Sequence, residues 1–162
     1  TRFIGVANFN VQLLTDVLSY AIKPCYINQV EMHPYNTQQE LLDFCKKNGV
    51  RVTAFSPLGS PSYVELDMDQ KLNILTEDCI VSAASKYSKT SAQILLRWAV
   101  QRGTSLVTKS SQMSRVAENF DIFNFKLSQE EMEDINALNR NVRFNDPGVF
   151  CGFMGGAIPI YK

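Results

Sequence analysis

The chain has 162 residues, the size of one ordinary domain, and 45 % of them are apolar, which excludes a disordered segment. Sixteen Lys and Arg offset sixteen Asp and Glu, with no long block of either sign. This excludes the basic stripe of a nucleic-acid or anionic-membrane binder, and no apolar run is long enough to cross a bilayer.

Arg2 to Ala7 is a short apolar run that reads as a strand and stops at Asn8. Asn10 then suits a helix N-cap, with Val11, Leu14, Val17, Leu18 and Ala21 at helical spacing until Lys23-Pro24 ends the ladder. Tyr26 to Glu31 reads as a second strand and His33-Pro34-Tyr35 as a loop. Asn36 or Thr37 is the expected cap of a second helix carrying Leu41, Leu42, Phe44 and Cys45, closed by Asn48-Gly49. Val50 to Phe55 is a third strand, followed by the turn-rich Ser56-Pro57-Leu58-Gly59-Ser60-Pro61 and a long loop to about Glu77. Two helical stretches follow, Cys79 to Tyr87 and Ser91 to Arg102, the second capped by Thr90 or Ser91. Ser105 to Thr108 is a fourth short strand and Ser114 to Phe120 the next helix. Ser128-Gln129-Glu130-Glu131 is a capping-box sequence opening a last amphipathic helix through Leu138. The Gly-, Pro- and aromatic-rich tail from Asn139 reads as irregular.

Four strands alternating with helices call for a parallel sheet with helical crossovers. An open doubly wound sheet is one solution, although no GxGxxG follows the first strand. A (β/α)8 barrel is the other, and there the strand C-termini would carry the site: Asn8, Gln29 with Glu31, Ser56, and Lys109 with Ser110. A whole barrel needs about 250 residues, so the pattern offers half a barrel or a small open sheet. The cysteines at 25, 45, 79 and 151 lack CxxC spacing or a histidine at ligand distance, which points to free thiols, no metal site and a cytosolic setting. Thr1 to Gly5 shows no leader sequence and no initiator Met, as expected of a mature, partial or fragmentary chain.

The C-terminal third has the sharpest chemistry. Lys109, Ser110, Ser111 and Arg115 gather at the start of a helix, where the dipole and free N–H groups favour an anion and a guanidinium forks onto phosphate. From the residues alone, a solvated basic helix start accounts for them as well as a phosphate site does.

Four collinear segments then resemble the aldo-keto reductase superfamily: Gly5-Val6-Ala7-Asn8-Phe9, Asn28-Gln29-Val30-Glu31-Met32-His33-Pro34-Tyr35, Phe55-Ser56-Pro57-Leu58-Gly59-Ser60, and Lys109-Ser110 with Arg115, Glu118 and Asn119. The tail, Arg143-Phe144-Asn145-Asp146-Pro147 and Ile158-Pro159-Ile160, resembles the xylose/aldose reductase branch. The resemblance implies that residues 1–162 are one oxidoreductase domain, the C-terminal half (strands five to eight) of a (β/α)8 TIM barrel, with NADP(H) as cofactor and a small carbonyl compound as substrate. It implies that Asn8 and Gln29 hold the nicotinamide carboxamide and that Phe55 lies on the ring. Ser56, Leu58 and Ser60 would line the pyrophosphate, Lys109, Ser110 and Arg115 the adenosine 2′-phosphate, and Glu118 and Asn119 the adenine. Asn145 would touch the substrate.

Ala7 stands where the family usually has serine, Phe55 where it often has tyrosine, and Thr108 where a proline is usual. The family's proton-donor tyrosine, with its lysine, aspartate and histidine partners, belongs to the first half of the barrel, and no position here matches it. The resemblance therefore implies no catalytic residue in this chain and no turnover by it alone. His33 sits in the HPY loop, where a structural role is expected, and Tyr26, Tyr35, Tyr63 and Tyr87 have no case for catalysis. Trp98 with Leu95, Leu96 and Ala99 is expected in the core. The loop from Pro61 to Glu77 is a candidate cofactor lid, and Phe144, Phe150 and Phe153 candidate pocket walls. The rival readings are an inactive NADP(H)-binding or regulatory half-barrel, a partial sequence without activity of its own, and a channel-associated subunit, which the tail disfavours. Half a barrel leaves two strand edges open, so self-association through them, or poor solubility, is expected.

Overall fold

The computed structural model describes residues 1–59 and 72–146. The candidate residue Ser60, most of the proposed lid, Cys151 and the aromatics Phe150 and Phe153 lie outside the described residues. Four parallel strands, β1 (Ile4–Ala7), β2 (Cys25–Glu31), β3 (Arg51–Phe55) and β4 (Ser105–Leu106), form one sheet in sequence order. The helices α1 (Val11–Tyr20), α2 (Gln39–Lys47), α3 (Asp78–Tyr87), α4 (Ser91–Gln101), α5 (Met113–Phe120) and α6 (Gln129–Ala137) alternate with or follow them. Sequential parallel neighbours joined by helices match one arc of a barrel wall, and they do not show the strand-order reversal of a doubly wound sheet.

Register explains which side is covered. Val6, Asn28 and Val52 share one row and Val30, Ala54 and Leu106 another, and all are buried or half-buried beneath the helices. Alternation turns the next residues to the opposite face. There Ala7, Gln29, Thr53 and Ser105 form a row, with a 2.7 Å hydrogen bond between the Thr53 and Ser105 hydroxyls. Gly5 permits close pairing at the edge: a Cβ added there would lie 2.3 Å from Ile27 Cγ2 and 2.6 Å from its carbonyl oxygen.

The core lies between β2, β3 and helices α2, α3, α4 and α6. Trp98 is fully buried as expected, its indole N–H donating to Asn136 Oδ1 at 3.0 Å with the Arg102 guanidinium 4.6 Å above its ring. Cys25, Cys45 and Cys79 are free thiols. The caps at Asn10, Thr90 and Ser128 form as the sequence predicts, the last two as full capping boxes.

Two expectations fail. The α2 N-cap is Gln38, in left-handed backbone, and neither Asn36 nor Thr37 caps the helix. The Asn36 amide donates to the Glu31 carbonyl, and the Thr37 N–H donates to Asn139 Oδ1, so both are drawn into tertiary contacts before the helix begins. The fourth strand pairs over two residues, not four. One further bond, Val107 N–H to the Ala54 carbonyl at 2.9 Å, follows before the chain leaves the sheet.

Candidate functional site

A cleft of about 930 Å³ opens at the carboxyl ends of β3 and β4. One wall is the turn after β3, with Phe55, Ser56, Leu58 and Gly59. The other is the segment from Val107 to Ser111 and the first turns of α5, with Arg115, Glu118 and Asn119, while Asn145 reaches in from the C-terminal segment. Nine of the sequence-derived candidates thus meet in one place: Phe55, Ser56, Leu58, Lys109, Ser110, Arg115, Glu118, Asn119 and Asn145.

Local backbone chemistry places them. Ser56 follows β3 at φ +51°, in left-handed backbone that most residues avoid, and the Gly59 N–H closes the turn onto the Ser56 carbonyl at 2.9 Å. Gly59 is itself at φ +70°, and a Cβ on it would press on Ile74 Cδ1 at 2.9 Å and Phe144 Cε2 at 3.2 Å. Asn8 occupies the equivalent place after β1, at φ +58°, where asparagine is better tolerated than most residues, and its N–H donates to the Gln29 carbonyl at 2.9 Å. Asn8 and Gln29 stand at the ends of the adjoining strands and not among the cleft's lining residues. Asn28, beneath them, clasps the backbone of Phe9 through both amide atoms, at 2.8 and 3.3 Å, and so fixes the turn that carries Asn8.

At the other wall, no side chain caps α5. The Ser110 hydroxyl donates to the Gln112 carbonyl at 3.2 Å and accepts its N–H at 3.1 Å, shaping the turn, and no side-chain cap satisfies the first N–H groups of the helix. Two cationic side chains, two hydroxyls and an uncapped helix start form a donor set suited to a phosphomonoester, and the Phe55 ring offers a flat apolar face. The residues present therefore fit a phosphorylated dinucleotide. Glu118 is held in place: Thr90 Oγ1 donates to its carboxylate at 2.7 Å, and the buried Gln93 amide donates to its carbonyl at 3.1 Å.

The sequence marks Glu31 as a polar group at a strand end and His33 as structural, but not the cluster they form with the C-terminal segment behind the cleft. Glu31 and His33 are fully buried and joined at 3.0 Å, and the Glu31 carboxylate also accepts the backbone N–H groups of Phe144 and Asn145. The available signal was a glutamate and a histidine two residues apart at a strand end. His33 has the structural setting expected of the HPY loop. Tyr35 is buried too, its hydroxyl donating to Glu77; burial first, and then that bond, push its pKa up to about 12, which leaves it a neutral donor. No metal-ligating cluster occurs among the described residues.

The sequence profile described as the Aldo/keto reductase family matches residues 1–140. The chain belongs to the aldo-keto reductase family. It is 46 % identical over 150 residues to a probable NAD(P)H-dependent D-xylose reductase of Aspergillus fumigatus, covering 90 % of this chain and 47 % of that protein. It is 47 % identical over 151 residues to aldose reductase B of Dictyostelium discoideum, covering 93 % and 45 %. Among solved structures, a Bombyx mori aldo-keto reductase in complex with NADP matches with a TM-score of 0.83 and 34 % identity over 96 % of this chain and 49 % of that one. A deep-sea metagenomic aldo-keto reductase matches with a TM-score of 0.79 and 34 % identity over 88 % and 50 %. The chain thus spans about half the length of the curated relatives it matches, and its sheet is part of a (β/α)8 barrel of the aldo-keto reductase type. No described helix is long and apolar enough to cross a membrane.

Proposed function

We propose that this chain is the second half of an aldo-keto reductase barrel that reduces an aldehyde or ketone, aldoses included, to the alcohol with NADPH in the cytosol. The observation that carries the reading is the gathering of Lys109, Ser110 and Arg115 at the uncapped start of α5, across one cleft from Phe55 and Ser56. In this reading Lys109 and Arg115 grip the adenosine 2′-phosphate by charge-assisted hydrogen bonds, and Ser110 adds a neutral one. Glu118, aimed by Thr90, and Asn119 flank the adenine. Ser56, Leu58 and Ser60 line the pyrophosphate, and the Phe55 ring backs the nicotinamide. Asn8 and Gln29 fix the carboxamide and so decide which face of the ring turns toward the substrate. Asn145 offers a polar contact to the substrate. The bound dinucleotide supplies hydride chemistry; the residues of this half bind it, orient it and keep water from its apolar face. The proton for the alcohol comes from the tyrosine of the preceding half.

Support for the substrate class comes from the relatives named for xylose and aldose reduction. Replacing Arg115 by Leu, or Lys109 by Met, should weaken NADPH binding by about tenfold or more while leaving NADH binding unchanged, because each variant removes a charged donor to the extra phosphate alone. Nicotinamide fluorescence on titration reads both affinities. Equal losses for the two cofactors would place the 2′-phosphate elsewhere.

A further inference from the structure

A carboxylate with no exposed surface is expensive to keep unless donors converge on it. Glu31 is such a group, at the carboxyl end of β2 and 0 % exposed. Its Oε1 receives the Phe144 N–H at 2.6 Å, the Asn145 N–H at 3.2 Å and His33 Nε2 at 3.0 Å, and its Oε2 lies 3.2 Å from the same Asn145 N–H. These backbone partners are 113 and 114 residues away along the chain. Apolar contact seals the junction. The Phe144 ring lies 4.8 Å from the His33 ring and 6.3 Å from the Tyr35 ring, and close enough to Gly59 that a Cβ there would meet it at 3.2 Å. The carboxylate therefore ties the C-terminal segment to the end of β2 and the loop after it, while the Phe144 ring lies against the turn after β3 that forms the cleft wall.

We propose that Glu31 is a positioning residue: it fixes the Phe144–Asn145 backbone as an immobile wall of the cleft and so sets where Asn145 meets the substrate. The proposal rests on the cleft being the reductase site, but its geometry is independent of which dinucleotide binds. Because these hydrogen bonds run to backbone N–H groups, they do not depend on which side chain stands at position 145. The segment could then change its substrate-facing residue while keeping its placement. His33 supports the carboxylate from behind with one ring nitrogen; its Nδ1 is buried without a partner, so the imidazole is committed to Glu31 alone.

The test is hydrogen exchange on the purified chain, read at the Phe144 and Asn145 amides and at the amides of α4 as an internal reference, for the wild type and for Glu31→Gln and Glu31→Ala. The expected result is exchange at Phe144 and Asn145 faster by about tenfold or more in Glu31→Ala, since hydrogen bonds to a charged group are among the stronger ones. Glu31→Gln, which keeps one acceptor oxygen, should fall between that variant and the wild type. The α4 amides should stay within about twofold of wild type, because the hydrogen bonds of Glu31 run to His33, Asn36, Gln38, Phe144 and Asn145 and not to α4. Unchanged exchange at Phe144 and Asn145 in both variants would overturn the proposal. Exchange rising equally in α4 would also overturn it, since Glu31 would then be a general core support; if Glu31→Ala does not fold, Glu31→Gln alone decides between these outcomes. Failure of the wild type to bind NADPH would count against the cofactor reading and leave the exchange result to stand by itself.

Discussion

The centre of the sheet and its two margins are built to different rules. At the centre α4, packed against α3 and β4, alone buries Gln93, Ile94, Leu95, Leu96, Trp98 and Ala99. At the margins α1 buries only Leu14 and α5 buries nothing, while Ile22 is 95 % exposed, Met113 79 % and Phe120 74 %. Ile4 on β1 is half exposed, Phe3 before it rests on the part-exposed Tyr26 of β2, and Val107 is exposed beyond β4. The difference teaches that the centre carries the stability, whereas the margins present apolar surface and open strand edges of the kind a closed barrel would cover. The cleft straddles the two, with Phe55 and Leu58 on the packed side and Arg115 on the exposed one.

Removing the largest central side chain should have the greatest effect. Trp98→Ala should cost about 3–5 kcal/mol, since the site is walled by α4 and α6 and cannot collapse, and the loss would be read from urea unfolding. The same measurement on Ile22→Ala should change stability by no more than about 0.5 kcal/mol. Comparable losses for the two would erase the distinction between centre and margin.

A smaller effect comes from the seam between α3 and α6, where Lys86 Nζ and the Tyr87 hydroxyl both donate to the Glu131 carboxylate at 2.7 Å. Burial pushes the Glu131 pKa up, but Lys86, the Ser128 N–H and Tyr87 outweigh it and bring it from an ordinary 4.5 down to about 2. A carboxyl depressed in the folded state stabilises the fold above its unfolded pKa, and that support fades as pH falls from about 4.5 toward 2. Solvent screening holds the contribution to about 1 kcal/mol. Denaturation midpoints of wild type and Glu131→Gln should converge over that range, and a constant gap between them would contradict it.

The smallest change in stability with a clear readout concerns the β1 edge. Ile4→Lys should leave stability within about 0.5 kcal/mol yet raise the monomeric fraction seen by light scattering, because a charge on an open edge discourages strand pairing. A wild-type chain that is already a stable monomer would remove the case for association through the edges.

The sequence made legible what is decided locally. The caps at Asn10, Thr90 and Ser128 depend on side chains within three residues of the N–H groups they satisfy, and all three form. The strands at the centre follow from compact apolar runs between turn residues. What escaped depends on distant partners. Asn36 and Thr37 look like caps until Glu31 and Asn139 engage them, and the extent of the fourth strand depends on its register with β3, which pairs only Ser105 and Leu106. The nine cleft residues were legible as collinear motifs, and the fold brings them together, yet the Glu31 anchor behind them joins segments 113 residues apart, and its only local sign was the glutamate–histidine pair at the end of β2.

The central claim is that this chain carries a 2′-phosphate site, and a calorimetric titration of the purified chain with NADPH and then NADH tests it most directly. The account predicts binding of NADPH at least about tenfold tighter than NADH, the separation expected from charge-assisted contacts to one additional phosphate. Equal affinities, or no heat with either cofactor, would contradict it.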